Sequence, residues 1–331
     1  MDFTLNERQL QLRSLIRGIL AQQERPDKAG APVFDAALMA ALRSKGLYRK
    51  RAPGDDLLDA AMITEEVSQA NRLAPVGLQL FLCAALFDQI PQEPIAIQYE
   101  GSRVPLRYAA SASTLVILGD VEANAYRVDP AKAELAPSNY VYPLAYPAPA
   151  SGKPIGTWPV AVVRRRWQLA LAAEIVGAMS AALAQVVSYL SDRKQFGKRI
   201  GSFQAVQHRL AELAVSVECA RLLVHEAAWR DDDALAASAA CYAATAARQV
   251  CLDAHQLSGA RGFTLEFKLY LSTLRLQALS LEGRGATQHG ACAANEHWSV
   301  AMTQLLGCEA GNQSIQGGRT RRSEPSSHSP S

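Results

Sequence analysis

The sequence has almost no net charge and few aromatic residues. Its 331 residues include 34 Lys and Arg against 31 Asp and Glu, so the formal net charge is only +3. An excess this small gives no reason to expect a nucleic-acid partner. Aromatic residues make up 7% of the chain, charged residues 20% and hydrophobic residues 49%. This composition is typical of a soluble globular protein, and the length allows more than one hydrophobic core.

The sequence also shows no long uninterrupted hydrophobic run and no targeting signal. The longest apolar stretch, residues 76–90, is interrupted by Gly77, Gln79 and Asp88, so we expect no membrane span and no membrane partner. The N-terminal residues 1–7 lack the basic start and apolar centre of a signal peptide. We therefore expect a cytoplasmic protein.

Cysteine is sparse, and its spacing is uninformative. None of the six cysteines belongs to a Cys-x-x-Cys pair, and most lie within apolar helical patterns; they are residues 83, 219, 241, 251, 292 and 308. This distribution indicates reduced, buried cysteines rather than a disulfide framework or a metal site.

The chain divides by composition into four segments, which we predict to be an N-terminal helical domain (1–90), a small β domain (91–165), a C-terminal helix bundle (166–308) and a disordered tail (309–331). In the first segment, Thr4 to Glu7 reads as a capping box, and Asp35 caps a helix that stops at Gly46. Two further helices are expected over 56–71 and 75–90.

The middle segment contains short β-type runs separated by Pro, Gly and Asn. The predicted strands are 104–108, 114–118, 125–128, 140–142 and 160–163. From residue 167 the pattern is helical again, and from Val206 to Ala227 apolar residues recur at alternating steps of four and three, which favours packing in a bundle.

One short connection between two helical patterns carries the strongest functional signal. It reads Tyr189-x-x-x-Arg193-x-Gln195-Phe196-Gly197 and continues to Phe203-Gln204. An arginine can fork onto phosphate oxygens, aromatic side chains can pack on a flat ring, and glycine lets a ligand approach the backbone. The segment therefore suits an anionic ligand with a planar ring.

This connection resembles the Tyr-x-x-x-Arg-x-Gln-Phe-Gly segment of the acyl-CoA dehydrogenases, which is also followed by Phe-Gln. A second stretch, residues 256–266, resembles that family's Gln-Leu-His-Gly-Gly-x-Gly-Phe-Thr segment, with Ser258-Gly259-Ala260 in place of His-Gly-Gly. The resemblance implies a mainly α fold with a small β domain. Its parts are an N-terminal helical domain, a truncated β domain and a C-terminal four-helix bundle.

The resemblance also implies a function. Acyl-CoA dehydrogenases desaturate an acyl-CoA thioester between its α and β carbons, transfer a hydride to N5 of FAD and pass electrons to an electron-transferring flavoprotein. They form oligomers in which neighbouring subunits share each FAD. We expect the FAD diphosphate to lie between Arg193 of one protomer and the glycine-containing strip of its neighbour. The implied cofactor-binding residues are Arg193, Gln195, Phe196, Gly197, Phe203, Gln204, Gln256, Gly259 and Gly262.

The catalytic base of the family is a glutamate, for which Glu282 is the candidate. Many members place that glutamate in a Tyr-Glu-Gly-Thr segment, and Leu281-Glu282-Gly283-Arg284 lies at about the corresponding distance after Gly262. An exposed helix-end carboxylate is the other interpretation of Glu282. Some members carry a histidine in this region instead, where this chain has His289. A second family position for the base is occupied here by Arg165, Arg166 and Trp167.

The middle segment lacks two family signatures, a Thr-Glu-Pro-x-x-Gly-Ser-Asp run and a tryptophan segment that touch the flavin and the acyl-CoA. The shortened β domain suggests a subunit of a heteromeric acyl-CoA dehydrogenase, as in members acting on steroid-CoA or dicarboxylate-type substrates. A non-catalytic partner subunit of the same fold is the alternative. A nucleic-acid-binding variant, suggested only by Arg319, Arg321 and Arg322 in the tail, is the weakest. The sequence leaves the acyl group, the oligomeric state and the partner chain open.

Overall fold

The structure is a computed structural model that describes residues 4–24, 34–48, 57–138 and 141–306. The predicted tail, its three arginines, Cys308 and the predicted strand residue Tyr140 lie outside the described residues. Within the described part, the expectation of a mainly α fold with a small β domain is confirmed. The five described cysteines are all free, and Cys83, Cys251 and Cys292 are buried.

The N-terminal region is helical, with α1 (Glu7–Gln22), α2 (Ala36–Ser44), α3 (Leu58–Gln69) and the short α4 (Ala84–Leu86). The capping box of α1 is formed by Asn6 and Gln9, so the prediction that Thr4 caps the helix is wrong by two residues. Asp35 caps α2 as predicted, and Gly46 follows its end with a φ of 70°. The predicted helix at 75–90 contains a π-helical segment, Leu78–Cys83, with all six side chains buried, and ends at Leu86.

The β domain contains two small sheets. The larger has the strand order β1 (Ile95–Tyr99), β3 (Thr114–Leu118), β4 (Glu122–Arg127) and β7 (Gly156–Pro159), and only its β1–β3 pair is parallel. The smaller sheet is antiparallel, with the order β2 (Leu106–Arg107), β6 (Leu144–Tyr146) and β5 (Glu134–Leu135). Several predictions fail here. Strands β1, β5, β6 and β7 were not predicted, residues 141–142 of the predicted strand 140–142 form no strand, and residues 160–163 begin a helix.

The C-terminal region is a bundle of long helices. These are α5 (Val160–Asp192), α6 (Gln204–Arg230), α7 (Asp233–Ser258), α8 (Leu269–Leu281) and α9 (Gly285–Leu306). A hairpin of β8 (Lys194–Gln195) and β9 (Lys198–Arg199) joins α5 to α6. Small side chains let the helices approach closely: Ala236, Ala239, Ala240 and Ala243 of α7 are fully buried.

Helix α5 is the centre of the molecule, since it contacts α3, α6, α7 and α8 as well as the β domain. It corrects the expectation that no apolar segment is long enough to span a membrane, because its length and composition pass that test. However, 78% of its most apolar window is buried inside the protein, as expected for the core helix of a bundle. The start of α5 faces the β domain, and its end faces the hairpin. These two ends hold the two candidate sites.

Candidate active site and nucleotide-binding face

A cavity of about 310 Å³ lies where the β domain meets the start of α5 and the end of α8. Most of its wall is aliphatic, and a smaller number of polar side chains complete it. The aliphatic lining consists of Leu78, Ile95, Ile97, Val104, Pro105, Leu106, Leu144, Ala278 and Leu281. The polar lining includes Tyr99, Arg107, Trp167, Glu282 and Arg284. An apolar cavity with a few convergent polar groups is the usual form of a small-molecule site.

Glu282 lies in the wall of this cavity, directly after α8 ends. Its side chain is 17% exposed, so it is not the solvated helix-end carboxylate of the other interpretation. Three N–H groups hold it: Arg107 donates from Nε at 2.5 Å and from Nη2 at 3.2 Å, and Trp167 donates from Nε1 at 3.0 Å. The assignment of Glu282 as the base stays a prediction, but the structure brings it to the cavity that a substrate would need.

Arg107, which the sequence analysis did not select, is the principal partner of Glu282. It belongs to the two-residue strand β2, and its side chain is 6% exposed. Its Nη1 also donates to both carboxylate oxygens of Glu174, at 3.0 Å each. Burial by itself would lower the pKa of Arg107, but Glu174 and Glu282 outweigh burial and raise it well above its ordinary value. The only signal in the sequence was a charged residue within a predicted β run.

Glu282 belongs to a cluster of four charged side chains that we call the charge quartet. Its members are Arg107, Glu174, Arg275 and Glu282. Arg275 Nη2 donates to Glu174 Oε1 at 2.8 Å, and the Tyr142 hydroxyl donates to the same oxygen at 2.8 Å. Burial is the largest influence on the pKa of Glu174 and would raise it; the two guanidiniums and these hydrogen bonds together lower it instead. With two cations and two anions, the quartet is neutral and joins the β domain to α5 and α8.

The loop after Glu282 has an unusual backbone. Gly283, Arg284 and Gly285 have φ values of 64°, 68° and 75°, in the left-handed region that disfavours side chains. A Cβ at Gly283 would lie 2.7 Å from Cε1 of His289, so glycine is required there for space as well. The Arg284 guanidinium lies over the ring of Tyr99, 4.2 Å from its centroid, at the edge of the cavity. The conformation of this loop thereby fixes the position of Glu282 relative to the end of α8.

The other positions considered for the base lie in different surroundings. His289 is 2% exposed, its Nδ1 lies 3.3 Å from Gln168 Nε2, and burial lowers its pKa. Arg165 and Arg166 donate to Asp233 and Asp231, at 2.8 Å and 2.7 Å, and neither lines the cavity. Of these residues only Trp167 lines the cavity, and an indole offers a donor rather than a base.

At the other end of α5, the predicted cofactor segment is an exposed two-residue hairpin. Its turn residues, Phe196 and Gly197, have φ values of 54° and 79°, as a type I′ turn requires. Phe196 is 90% exposed and meets Phe203 edge to face, with ring centroids 6.2 Å apart. Gln195 and Gln204 are also exposed. The hairpin therefore presents an aromatic ring and polar side chains outward.

The second predicted segment lies beside the hairpin in the same protomer. The guanidiniums of Arg193 and Arg261 both pack on the ring of Tyr189, 5.5 Å and 5.6 Å from its centroid. The two segments are therefore neighbours within one protomer, and the expectation that the FAD diphosphate lies between Arg193 of one protomer and the glycine strip of another stays a prediction. We call residues 193–204 and 256–263, with Tyr189, the nucleotide face.

The glycines of the second segment have different roles. Gly259 has a φ of 58° and open space around it, so a ligand can reach its backbone. Gly262 is buried, and a Cβ there would lie 3.0 Å from that of Ser258, so it serves packing. Ala260, which replaces a family glycine, is not among the positive-φ residues, and the replacement therefore costs no strain. Gln256, on the last turn of α7, is exposed.

The chemistry of the nucleotide face fits the diphosphate and adenine end of FAD. It offers exposed cations for phosphate oxygens, exposed aromatic rings for stacking and an accessible backbone at Gly259. The exposed cations are Arg193, Lys194, Lys198, Arg199 and Arg261. A Cβ added at Gly197 or at Gly259 would meet no atom of the described residues within 4 Å, so the space beside both glycines is open to a ligand.

Comparison with known proteins agrees with the geometry. Residues 165–309 match the family described as the acyl-CoA dehydrogenase C-terminal domain. The acyl-CoA dehydrogenase FadE25 of Mycobacterium tuberculosis is 43% identical over 103 residues, which are 29% of this chain but only 26% of that protein. The sequence match thus spans about a quarter of that relative's length.

Solved structures extend the likeness to almost the whole chain. The butyryl-CoA dehydrogenase of Megasphaera elsdenii superposes with a TM-score of 0.72 at 18% identity, covering 90% of this chain and all of that one. The ChsE4–ChsE5 complex of Mycobacterium tuberculosis gives a TM-score of 0.61 at 20% identity, covering 94% of this chain and all of the matched one. Residues 165–309 are therefore identified as an acyl-CoA dehydrogenase C-terminal domain, and the fold of the chain is that of solved acyl-CoA dehydrogenases.

Proposed function

We propose that this chain is a subunit of an FAD-dependent acyl-CoA dehydrogenase that desaturates an acyl-CoA thioester between its α and β carbons. The observation that carries the proposal is Glu282 in the wall of an otherwise aliphatic cavity, at the junction of the β domain and the bundle. A carboxylate in such a place can accept a proton from the α carbon of a bound thioester. Bound FAD supplies the acceptor for the hydride from the β carbon, and the electrons pass on to an electron-transferring flavoprotein.

The volume and the lining of the cavity are the basis for the kind of acyl group that we propose. Its volume of about 310 Å³ is roughly twice the ~150 Å³ of a cavity that binds benzene. A compact or ring-containing acyl group fits this space better than a long straight chain. The aliphatic side chains from β1, β2 and α8 exclude water around the α carbon, which favours proton transfer to Glu282.

The distance between the two sites supports an oligomeric enzyme. Trp167 marks the cavity and Tyr189 marks the nucleotide face, and 22 residues of the continuous helix α5 separate them, about 33 Å at 1.5 Å per residue. A single dinucleotide does not bridge that span within one protomer. We propose that the nucleotide face serves the cavity of a neighbouring subunit, either a second copy or a second acyl-CoA dehydrogenase-like chain. The similarity to one chain of the ChsE4–ChsE5 complex supports the mixed assembly.

Copurification tests the cofactor and the assembly together. The chain is purified alone and with a homologous chain encoded beside it, and flavin absorbance is measured for each preparation. Flavin in the two-chain preparation only supports the mixed oligomer, and flavin in the single chain supports a homo-oligomeric enzyme. Colourless protein in both preparations would overturn the assignment of FAD.

The substitution Glu282→Gln tests the base. It keeps the shape of the side chain and removes its basicity, so the exchange of the substrate α proton with deuterated water should fall by about 100-fold or more, within the range of general base catalysis. The matched control is Glu100→Gln, a carboxylate of the β domain outside the cavity. Exchange at the wild-type rate in Glu282→Gln would remove Glu282 from the mechanism.

A further inference from the structure

We propose that Arg107 is a positioning residue for Glu282, so that the β domain orients a base carried by the bundle. The inference rests on the function proposed above. Arg107 comes from β2, whereas Glu282 follows α8, and the two residues are 175 positions apart in the chain. The contact therefore exists only when the β domain is docked on the bundle.

The contact restrains Glu282 at both of its oxygens. Arg107 Nε donates to Oε2 at 2.5 Å and Nη2 donates to Oε1 at 3.2 Å, which is the forked geometry of an arginine–carboxylate pair. Trp167 adds a third donor to Oε1 at 3.0 Å. A carboxylate held at two points cannot rotate about its terminal bond, so the direction in which it faces the cavity is fixed.

Arg107 can act as a support because it is itself held firmly. Its remaining nitrogen, Nη1, binds Glu174, which Arg275 and Tyr142 hold in turn. The ring of Tyr142 lies 4.7 Å from the guanidinium carbon. With Glu174 as a second anionic partner, the buried charge of Arg107 is compensated and its guanidinium is fixed in place.

Kinetics of three variants test the proposal in the holoenzyme complex. Arg107→Gln (R107Q) should lower α-proton exchange by about 100-fold, the cost of displacing a reacting group by roughly 1 Å, with KM changed less than about threefold. Arg107→Lys, which keeps the charge but not the forked geometry, should recover at least about a tenth of the wild-type rate. Arg103→Gln, an exposed arginine of the same domain, is the control and should exchange normally.

Exchange at the wild-type rate in R107Q would overturn the proposal, as would a loss that appears wholly in KM. If R107Q does not fold, R107Q/E174Q replaces it, because that pair removes one charge of each sign and leaves Arg275 and Glu282 balanced. Wild-type exchange in a folded R107Q/E174Q complex would likewise overturn the role of Arg107.

Carbodiimide labelling of Glu282 tests the role of Arg107 without depending on the proposed enzymatic activity. If the wild-type complex shows no α-proton exchange, the proposed function fails, and labelling alone decides the role of Arg107. Release of Glu282 in R107Q should raise its labelling rate severalfold above that of wild type and R103Q. Equal labelling in the three proteins would show that Arg107 does not hold Glu282.

Discussion

Gly283 is the residue on which the placement of Glu282 most directly depends. Gly283→Ala puts a Cβ 2.7 Å from the His289 ring at a φ of 64°. The left-handed strain and the overpacking together should lower the free energy of unfolding by about 2–4 kcal/mol. Thermal or urea unfolding measures this cost.

Gly197→Ala is the matched control for that substitution. Its φ is 79°, but no atom of the residues that the structure describes lies within 4 Å of the added carbon. It should therefore cost only the backbone strain, about 1 kcal/mol. Equal losses at positions 197 and 283 would show that His289 does not restrict the loop.

Glu174 is expected to make the free energy of unfolding depend on pH in the acidic range. Its pKa is lowered in the folded protein from an ordinary value of 4.5, so the folded state binds this proton less readily than the unfolded state. The stabilisation is fully present above about pH 4.5 and is lost as the pH falls through the lower, folded-state pKa. Unfolding followed by urea between about pH 6 and pH 3 measures it.

In Glu174→Gln that part of the acid dependence should disappear. The variant should also be less stable at neutral pH by about 3–5 kcal/mol, because two buried guanidiniums lose a shared anion. A pH profile parallel to that of the wild type would contradict the role given to Glu174.

At this scale local motifs in the sequence select candidate ligand-facing residues but not the residues that support them. Glu282 and Gly259 were selected because they belong to such motifs, and their roles towards a ligand stay predictions. Arg107, Arg275 and Tyr142 belong to no motif, and they meet Glu174 only through contacts between segments 32 to 101 positions apart. Long-range pairing of this kind leaves no periodic trace in one sequence.

At the scale of the elements, helices α3 and α5 approach each other closely at Gly177. A Cβ there would lie 2.4 Å from the Glu65 carbonyl oxygen and 2.5 Å from the Ser68 Cβ. Gly177→Ala should push the helices apart and lower the free energy of unfolding by about 2 kcal/mol, despite the better helix propensity of alanine. Chemical denaturation measures the effect.

Gly18→Ala is the control for this contact. Gly18 lies on α1, and its added carbon has open space within 4 Å. That variant should gain about 0.5–1 kcal/mol from helix propensity. A gain of the same size for Gly177→Ala would show that the α3–α5 contact is loose.

The elements that were mispredicted share a cause. Residues 160–163 include three β-branched valines and follow a proline, yet they form the first turn of α5 because burial of the long helix outweighs local strand propensity. Strand β1 was missed because three of its five residues, Ile95, Ala96 and Ile97, are buried consecutively, without the alternation that marks a half-exposed strand. In both places tertiary burial decides the structure.

For the whole molecule, the separation of the two sites predicts where cofactor affinity resides. Arg193→Ala leaves the cavity intact but removes a cation from the nucleotide face, so FAD should bind more weakly by about 10-fold or more, the value of one charge-assisted hydrogen bond. Flavin content per protomer after dialysis of the assembled complex measures it. Arg127→Ala, at an exposed position of β4, is the control. Full flavin retention in Arg193→Ala would mean that this arginine is only a solvated cation.

The composition of α5 has a consequence for biosynthesis. A nascent chain that ends soon after residue 192 contains the whole of this apolar helix but lacks α6, α7 and α8, which cover part of it in the folded protein. A chain of this length should expose apolar surface that chaperones bind. Burial of α5 is therefore completed only after α6, α7 and α8 have left the ribosome.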